Sequence, residues 1–214
     1  MTFADRRTQF LADIRDSQTP SARLMAVSKM QPAEAIKDAL AAGQRLFGEN
    51  RVQDAEDRWT EYKHTIPDLD LHLIGPLQTN KADKAVALFD MIHSLDREKL
   101  AQILSQEMQK QQKHLPCLIQ VNTGEEPQKS GILPCDLPDF LEFCRKECDL
   151  DIQGLMCIPP AQDPPALHFA FLKKLAKTHA LSQLSMGMST DYAKALKLGA
   201  TYIRIGTALF GQRI

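Results

Sequence analysis

Eight short apolar runs punctuate the chain, and between them apolar residues recur at every third or fourth position. The runs are Leu24-Met25-Ala26-Val27, Leu46-Phe47, Leu71-His72-Leu73-Ile74, residues 89–93, residues 117–122, residues 152–157, residues 181–184 and Tyr202-Ile203-Arg204-Ile205. Short runs of this kind, bounded by turn residues, predict buried strands. The spacing between them predicts helices. Ile36 and Leu40 share one face, as do Val52, Ala55, Trp59 and Tyr62, and then Ala82, Ala85 and Val86. Leu100, Ile103, Leu104 and Met108 mark the next helix, and Leu137, Phe140, Leu141, Cys144 and Cys148 the one after. Leu167, Phe171 and Leu175 predict a further face, and Tyr192, Ala195 and Leu196 the last. One more helix, carrying Phe3, Arg7, Phe10, Leu11 and Ile14, precedes the first run.

Turn residues agree with this division. Pro32 and Pro164-Pro165 suit first helical turns, Gly43 and Gly199 suit helix ends, and Gly75-Pro76 closes the third run. Asp96 and Asp136 stand where N-caps belong. Eight strand–helix repeats with no region left over predict one (β/α)8 barrel domain over residues 1–214, with an extra N-terminal helix. An open doubly wound sheet is the other reading of the same alternation.

Composition narrows the function. The chain has 214 residues, 43% hydrophobic and 25% charged, with a formal net charge of -1. That balance suits a globular domain and offers no electrostatic footprint for nucleic acid or a membrane surface. No apolar run approaches a membrane span, and the N-terminus lacks the apolar core of a signal peptide. Five cysteines without a C-x-x-C pair imply reduced thiols and a cytoplasmic location.

Candidate chemistry gathers at the ends of the runs. The first run leads into Ser28-Lys29. A lysine at an interior strand end must be paired, neutralised or used, and a desolvated lysine is a nucleophile toward aldehydes. In a barrel of this type the loops after strands seven and eight commonly bind phosphate. Here they are Ser185-Met186-Gly187-Met188-Ser189-Thr190 and Gly206-Thr207-Ala208, rich in small residues and hydroxyls. Ordinary turn chemistry explains either loop alone. Period-two alternation sets Ile203 and Ile205 toward the helices and Arg204 into the barrel. There Arg204 either forms a structural salt bridge or faces a cofactor ring nitrogen. Asn50 either caps the second helix or faces the pocket, a cap explains Asn80, and His72 reads as a satisfied core histidine. Lys113 and Lys129 read as solvated, and Cys144 and Cys148 as core.

Ordered segments along nearly the whole chain carry a resemblance. They are Ala26-Val27-Ser28-Lys29, Phe47-Gly48-Glu49-Asn50, His72-Leu73-Ile74-Gly75-Pro76-Leu77-Gln78 with Asn80-Lys81, and Gln120-Val121-Asn122. They continue with Lys129-Ser130-Gly131, Gly154-Leu155-Met156, Ser185-Met186-Gly187-Met188-Ser189 and Arg204-Ile205-Gly206-Thr207-Ala208-Leu209-Phe210-Gly211. The chain resembles the YggS/PROSC family of pyridoxal 5'-phosphate (PLP) homeostasis proteins, which is similar in turn to the barrel domain of alanine racemase. Met30-Gln31 departs from the residues the family often has after the lysine.

The resemblance implies a Schiff base between PLP and Lys29. It also implies phosphate contacts from Ser185, Gly206 and Thr207, Arg204 at the pyridine nitrogen and Asn50 near the ring. The expected function is PLP homeostasis with little or no catalysis, as a monomer, with PLP-dependent apo-enzymes as recipients. Alanine racemase adds a second domain that supplies a further base. The chain ends at Ile214, so two-base racemisation is expected to be poor, and a weak amino-acid racemase is the alternative. A cofactor-free lyase or aldolase using Lys29 is the third reading.

Overall fold

Eight parallel strands pair in chain order and the last pairs with the first, which closes the barrel. In the computed structural model, residues 1–211 are described. The strands are β1 (Arg23–Val27), β2 (Leu46–Glu49), β3 (Asp70–Leu73), β4 (Met91–Leu95), β5 (Cys117–Gln120), β6 (Ile152–Met156), β7 (Gln183–Ser185) and β8 (Tyr202–Ile205). The helices are α1 (Phe3–Arg15), α2 (Ala33–Ala41), α3 (Val52–Thr65), α4 (Ala82–Leu88), α5 (Glu98–Gln111), α6 (Leu137–Lys146), α7 (Pro165–Thr178), α8 (Tyr192–Lys197) and α9 (Thr207–Phe210). Closure rules out the open doubly wound sheet. The expected single domain spans 1–214, of which residues 212–214 lie outside the described residues.

Every strand separates two environments. Residues of one parity, among them Ala26, Phe47, Leu71, Leu73, Ile92, Ile119, Leu155, Ile203 and Ile205, join the large core between barrel and helices. The other parity fills the barrel, where Met25, Leu46, Met91, Leu118, Met156 and Tyr202 form a separate cluster. A fully buried strand therefore reads as a continuous apolar run, which is why helix and strand runs alternate so visibly in the chain.

The N-terminal helix completes the outer ring. A capping box between Thr2 and Asp5 starts α1. Its Phe3 ring lies 5.1 Å from that of Phe210, and Phe10 lies 5.0 Å from Tyr192. Arg6 Nε and Nη2 donate to the carbonyls of Leu209 (2.6 Å) and Phe210 (2.9 Å), satisfying the C-terminal end of the single turn α9.

Several expected details move. Strand four runs over Met91–Leu95 rather than 89–93, because Phe89 ends α4 and Leu95 still pairs with β5. Strand seven is Gln183–Ser185 rather than 181–184, so Ser185 belongs to the strand and not to the loop after it. Asp96 is not an N-cap, since Arg97 holds that position on α5 and Asp96 pairs with it; Asp136 does stand at the N-cap of α6, but its side chain makes no cap bond there. Helix α7 buries Phe169, Leu172 and Ala176, while Leu167 is 67% exposed. Both sets have helical spacing, and only docking on β6 and β7 chooses between them. On α1, Leu11 is exposed rather than buried.

Candidate functional site

The inward-facing residues are not all apolar. Among them a continuous hydrogen-bonded chain crosses the barrel. Arg204 Nη1 on β8 donates to Ser185 Oγ on β7 (2.8 Å), and Ser185 Oγ meets His93 Nδ1 on β4 at 2.8 Å. His93 Nε2 lies 2.9 Å from His72 Nδ1 on β3, and His72 Nε2 lies 2.8 Å from Asp70 Oδ1. Asp70 also pairs with Arg23, at the start of β1. The Tyr202 ring stands edge-on to both imidazoles, at 5.6 and 5.2 Å.

This burial sets the charges. Burial pushes His93 well below the ordinary imidazole value, and the charges of Arg204 and Arg23 push the same way, so its ring is neutral. Burial alone would raise the Asp70 carboxyl. The hydrogen bonds from His72 and Arg23 and the charge of Arg23 outweigh it and hold Asp70 at about 2. Arg204 is pulled below its ordinary value by burial, with Cys157 and Asp191 opposing. A guanidinium remains charged even so.

Arg204 is 4% exposed and forms no ion pair among the described residues. Its other donor, Nη2, goes to the Cys157 carbonyl at 2.9 Å. The salt-bridge reading of Arg204 is therefore overturned, and a buried cation stands near the C-terminal strand ends without a carboxylate.

Lys29 lies beyond β1, past the buried Ser28, and is exposed. It is not the desolvated interior lysine that a strand end would imply. Its loop is held instead. Arg58 on α3 donates through Nη1 to the Ser28 carbonyl (3.1 Å) and through Nη2 to the Gln31 carbonyl (3.2 Å), one residue before and two after Lys29. Arg58 is itself held by Glu49, whose Oε1 accepts from Arg58 Nη1 (2.5 Å), Ser28 Oγ (2.8 Å) and Trp59 Nε1 (2.9 Å). The Glu49 side chain is fully buried.

Asn50 is half-buried and is not the N-cap of α3, a position Arg51 holds. Its backbone rests against β3's exit: a Cβ on Gly75 would fall 2.2 Å from the Asn50 carbonyl oxygen. Two clefts meet at Asn50 and Pro76. One, of about 600 Å³, continues to Arg51, Gln78 and Lys81. The other, of about 300 Å³, runs past Gln120, Asn122 and Lys129. Asn80 lies in the 3-10 turn Thr79–Lys81 and makes no cap bond. Lys129 is paired with Glu126 at 2.6 Å rather than solvated. Lys113 is exposed, with its ammonium on the last carbonyls of α4.

At the end of β8, Gly206 and Thr207 open α9, and the first N–H groups of a helix have no carbonyl within it to bond. A Cβ on Gly206 would meet nothing closer than Val27, at 3.7 Å. The chain's own packing leaves room there, and the Gly206 backbone, at φ -105° and ψ -97°, lies outside the regions that other residues favour. With the unpaired Arg204 cation and an exposed amine two residues past β1, this donor set fits an anionic aldehyde such as PLP.

Sequence reasoning named Lys29, Asn50, Ser185, Arg204, Gly206 and Thr207. The structure joins Ser185 directly to Arg204 and sets Gly206 beside Val27; it shows no contact between Lys29 and Arg204. His72 is the satisfied histidine expected of it. The roles of His93, Asp70, Glu49 and Arg58 were missed. The signal for His93 was its inward parity with Met91, and for Glu49 the presence of an acid inside an apolar strand.

A family model for the N-terminal domain of alanine racemase matches residues 9–214, which defines the class of barrel. A pyridoxal phosphate homeostasis protein of Vibrio cholerae is 44% identical over 203 residues, covering 90% of this chain and 86% of that one. The chain belongs to the family of pyridoxal phosphate homeostasis proteins. PipY of Synechococcus elongatus, solved with PLP bound, is 41% identical with a TM-score of 0.85, covering 98% of this chain and 100% of that one. Alanine racemase of Clostridium difficile shares the fold alone: 13% identity and a TM-score of 0.73, over 98% of this chain and 57% of that one.

Proposed function

We propose that the chain binds PLP at the C-terminal mouth of the barrel and serves intracellular PLP homeostasis, holding the cofactor covalently through Lys29 with little or no catalysis. The observation that carries the site is Arg204, a buried guanidinium without a carboxylate partner. The name shared by the relatives and the PLP-bound PipY structure support the function and the cofactor.

Bound PLP supplies a reactive aldehyde. The residues of the chain bind and orient it. Lys29 presents an exposed amine on a loop that Arg58 pins at both ends. Gly206 and Thr207, with the N–H groups that open α9, would hold the phosphate, and Asn50 would lie near the ring. Arg204 would be the residue to face the pyridine nitrogen, where a donor would oppose its protonation and weaken the ring as an electron sink. That electronic setting favours holding the cofactor over amino-acid chemistry.

Ser185 has a different part from the phosphate contact expected of it. It is wholly buried within β7, and its hydroxyl already meets Arg204 and His93. It serves Arg204 from below. No described helix is long and apolar enough to cross a membrane, and all five cysteines are free thiols, which supports a cytoplasmic setting. The protein acts as a monomer, with PLP-dependent apo-enzymes as the recipients.

The test is an absorbance spectrum of the purified protein with PLP, then borohydride reduction and peptide mass mapping. The expected result is a visible band that reduction fixes to the Lys29 peptide and that Lys29→Ala abolishes. A reducible adduct on another residue would reject the assignment of Lys29. Exchange of the α-hydrogen of alanine far above that with PLP alone would establish the racemase instead.

A further inference from the structure

The hydrogen-bonded chain across the barrel has a direction, and the direction follows from its two ends. Asp70 is an ionised acceptor, so His72 Nε2 donates to it. His93 is neutral and carries one ring proton. With His72 Nδ1 as acceptor, His93 Nε2 donates to it, and His93 Nδ1 becomes an acceptor. Ser185 must then donate its hydroxyl hydrogen to His93 Nδ1, which turns an oxygen lone pair toward Arg204 Nη1. Every proton in the chain is used once and points away from Arg204.

The reverse direction fails on counting. A doubly protonated His72 would make His93 Nδ1 a donor. Ser185 Oγ would then receive two N–H groups, and its own hydrogen would have no acceptor among the described residues. A second cation would also enter the barrel with Arg204 and no added anion, against the cost of burying charge.

We propose that Arg204 is held in its cofactor-facing state from the opposite end of the barrel, by the one-way chain Arg204→Ser185→His93→His72→Asp70. His72, His93 and Asp70 are positioning residues, and Asp70 is a remote counter-charge, besides the more distant field of Asp191, of a cation that forms no ion pair among the described residues. Arg23 keeps Asp70 in place. A low-polarity surrounding strengthens each bond and lets each polarise the next. The inference rests on the reading that Arg204 meets PLP, but its first test does not.

That test is long-range proton–nitrogen NMR of histidine-labelled protein without PLP, with His72 and His93 assigned by His72→Gln and His93→Gln. Both rings are expected as neutral tautomers protonated on Nε2. A ring of His93 protonated on Nδ1 would overturn the direction. The second test is Asp70→Asn, whose amide can also donate. His72 and His93 should then show mixed or reversed tautomers, and the PLP dissociation constant should rise about tenfold, the scale of one weakened buried hydrogen bond. Unchanged tautomers and unchanged affinity would overturn the role of Asp70. Absence of PLP binding by the unaltered protein would reject the proposed function, while the tautomers would still decide the chain.

Discussion

Arg58→Leu tests how the Lys29 loop is held. The substitution removes the cation from a wholly buried Glu49 and deletes the bonds to the Ser28 and Gln31 carbonyls. Breaking a buried ion pair from one side costs about 3–5 kcal/mol, because the remaining charge stays buried. The lower end applies here, since the Arg58 side chain keeps 18% exposure and Ser28 and Trp59 still donate to Glu49. With a urea m-value of about 3 kcal/mol/M, a loss of about 3 kcal/mol moves the unfolding midpoint by about 1 M. The chain's one tryptophan, Trp59, donates to the same carboxylate, so its fluorescence follows the transition from within the cluster. Glu49→Gln alone keeps an acceptor for Trp59, and the double substitution Glu49→Gln with Arg58→Leu should recover about 1–3 kcal/mol of the summed losses. A midpoint shift below about 0.3 M for Arg58→Leu, or additive losses in the double variant, would refute the clamp.

Three further outcomes are expected. Gly75→Ala forces a Cβ against the Asn50 backbone at 2.2 Å; it should cost about 2 kcal/mol, or roughly 4–8 °C in Tm, and a calorimetric scan with no shift would reject that contact. Because His93 is held neutral well below its ordinary value, its contribution is complete above about pH 6.5. As pH falls below that, the unfolded chain binds the extra proton, and stability drops by about 1.4 kcal/mol per pH unit until the folded ring titrates. Urea midpoints between pH 7 and 5 should show this slope, and His93→Gln should flatten it. Asp70, held at about 2, adds a second loss as pH falls from about 4 to about 2. Of the five thiols, four are buried, with Cys117 and Cys157 pushed up to about 12 by burial. A native thiol titration should therefore read one reactive group, Cys135, and all five after denaturation.

The barrel was legible in the chain because both faces of its strands are buried. Each strand is then an unbroken apolar run, each helix an amphipathic one, and eight repeats leave closure as the natural architecture. Strand parity was legible too: with Ile203 and Ile205 facing the helices, it sets Arg204 inward. Element ends were not, since whether Phe89 ends a helix or begins a strand depends on how far β5 continues to pair. Nor was the face of α7, where two helical spacings compete and only the neighbouring strands choose Phe169 over Leu167.

By itself, then, the sequence determined the architecture, the inward cation and the small-residue loops beside it, because period and parity are local properties of the backbone. Tertiary structure decided everything that depends on distance between separate strands. Asp70, His72, His93, Ser185 and Arg204 lie on four strands and span 135 positions of the chain, yet adjacent members sit within hydrogen-bond reach. The same holds for Lys29, whose chain neighbours suggested a buried, desolvated amine. Arg58, 29 positions further on, bonds the carbonyls on either side of it, and Lys29 is exposed instead. Hydrogen bonds are satisfied in space, and no spacing along a chain records which inward side chains of a closed barrel meet.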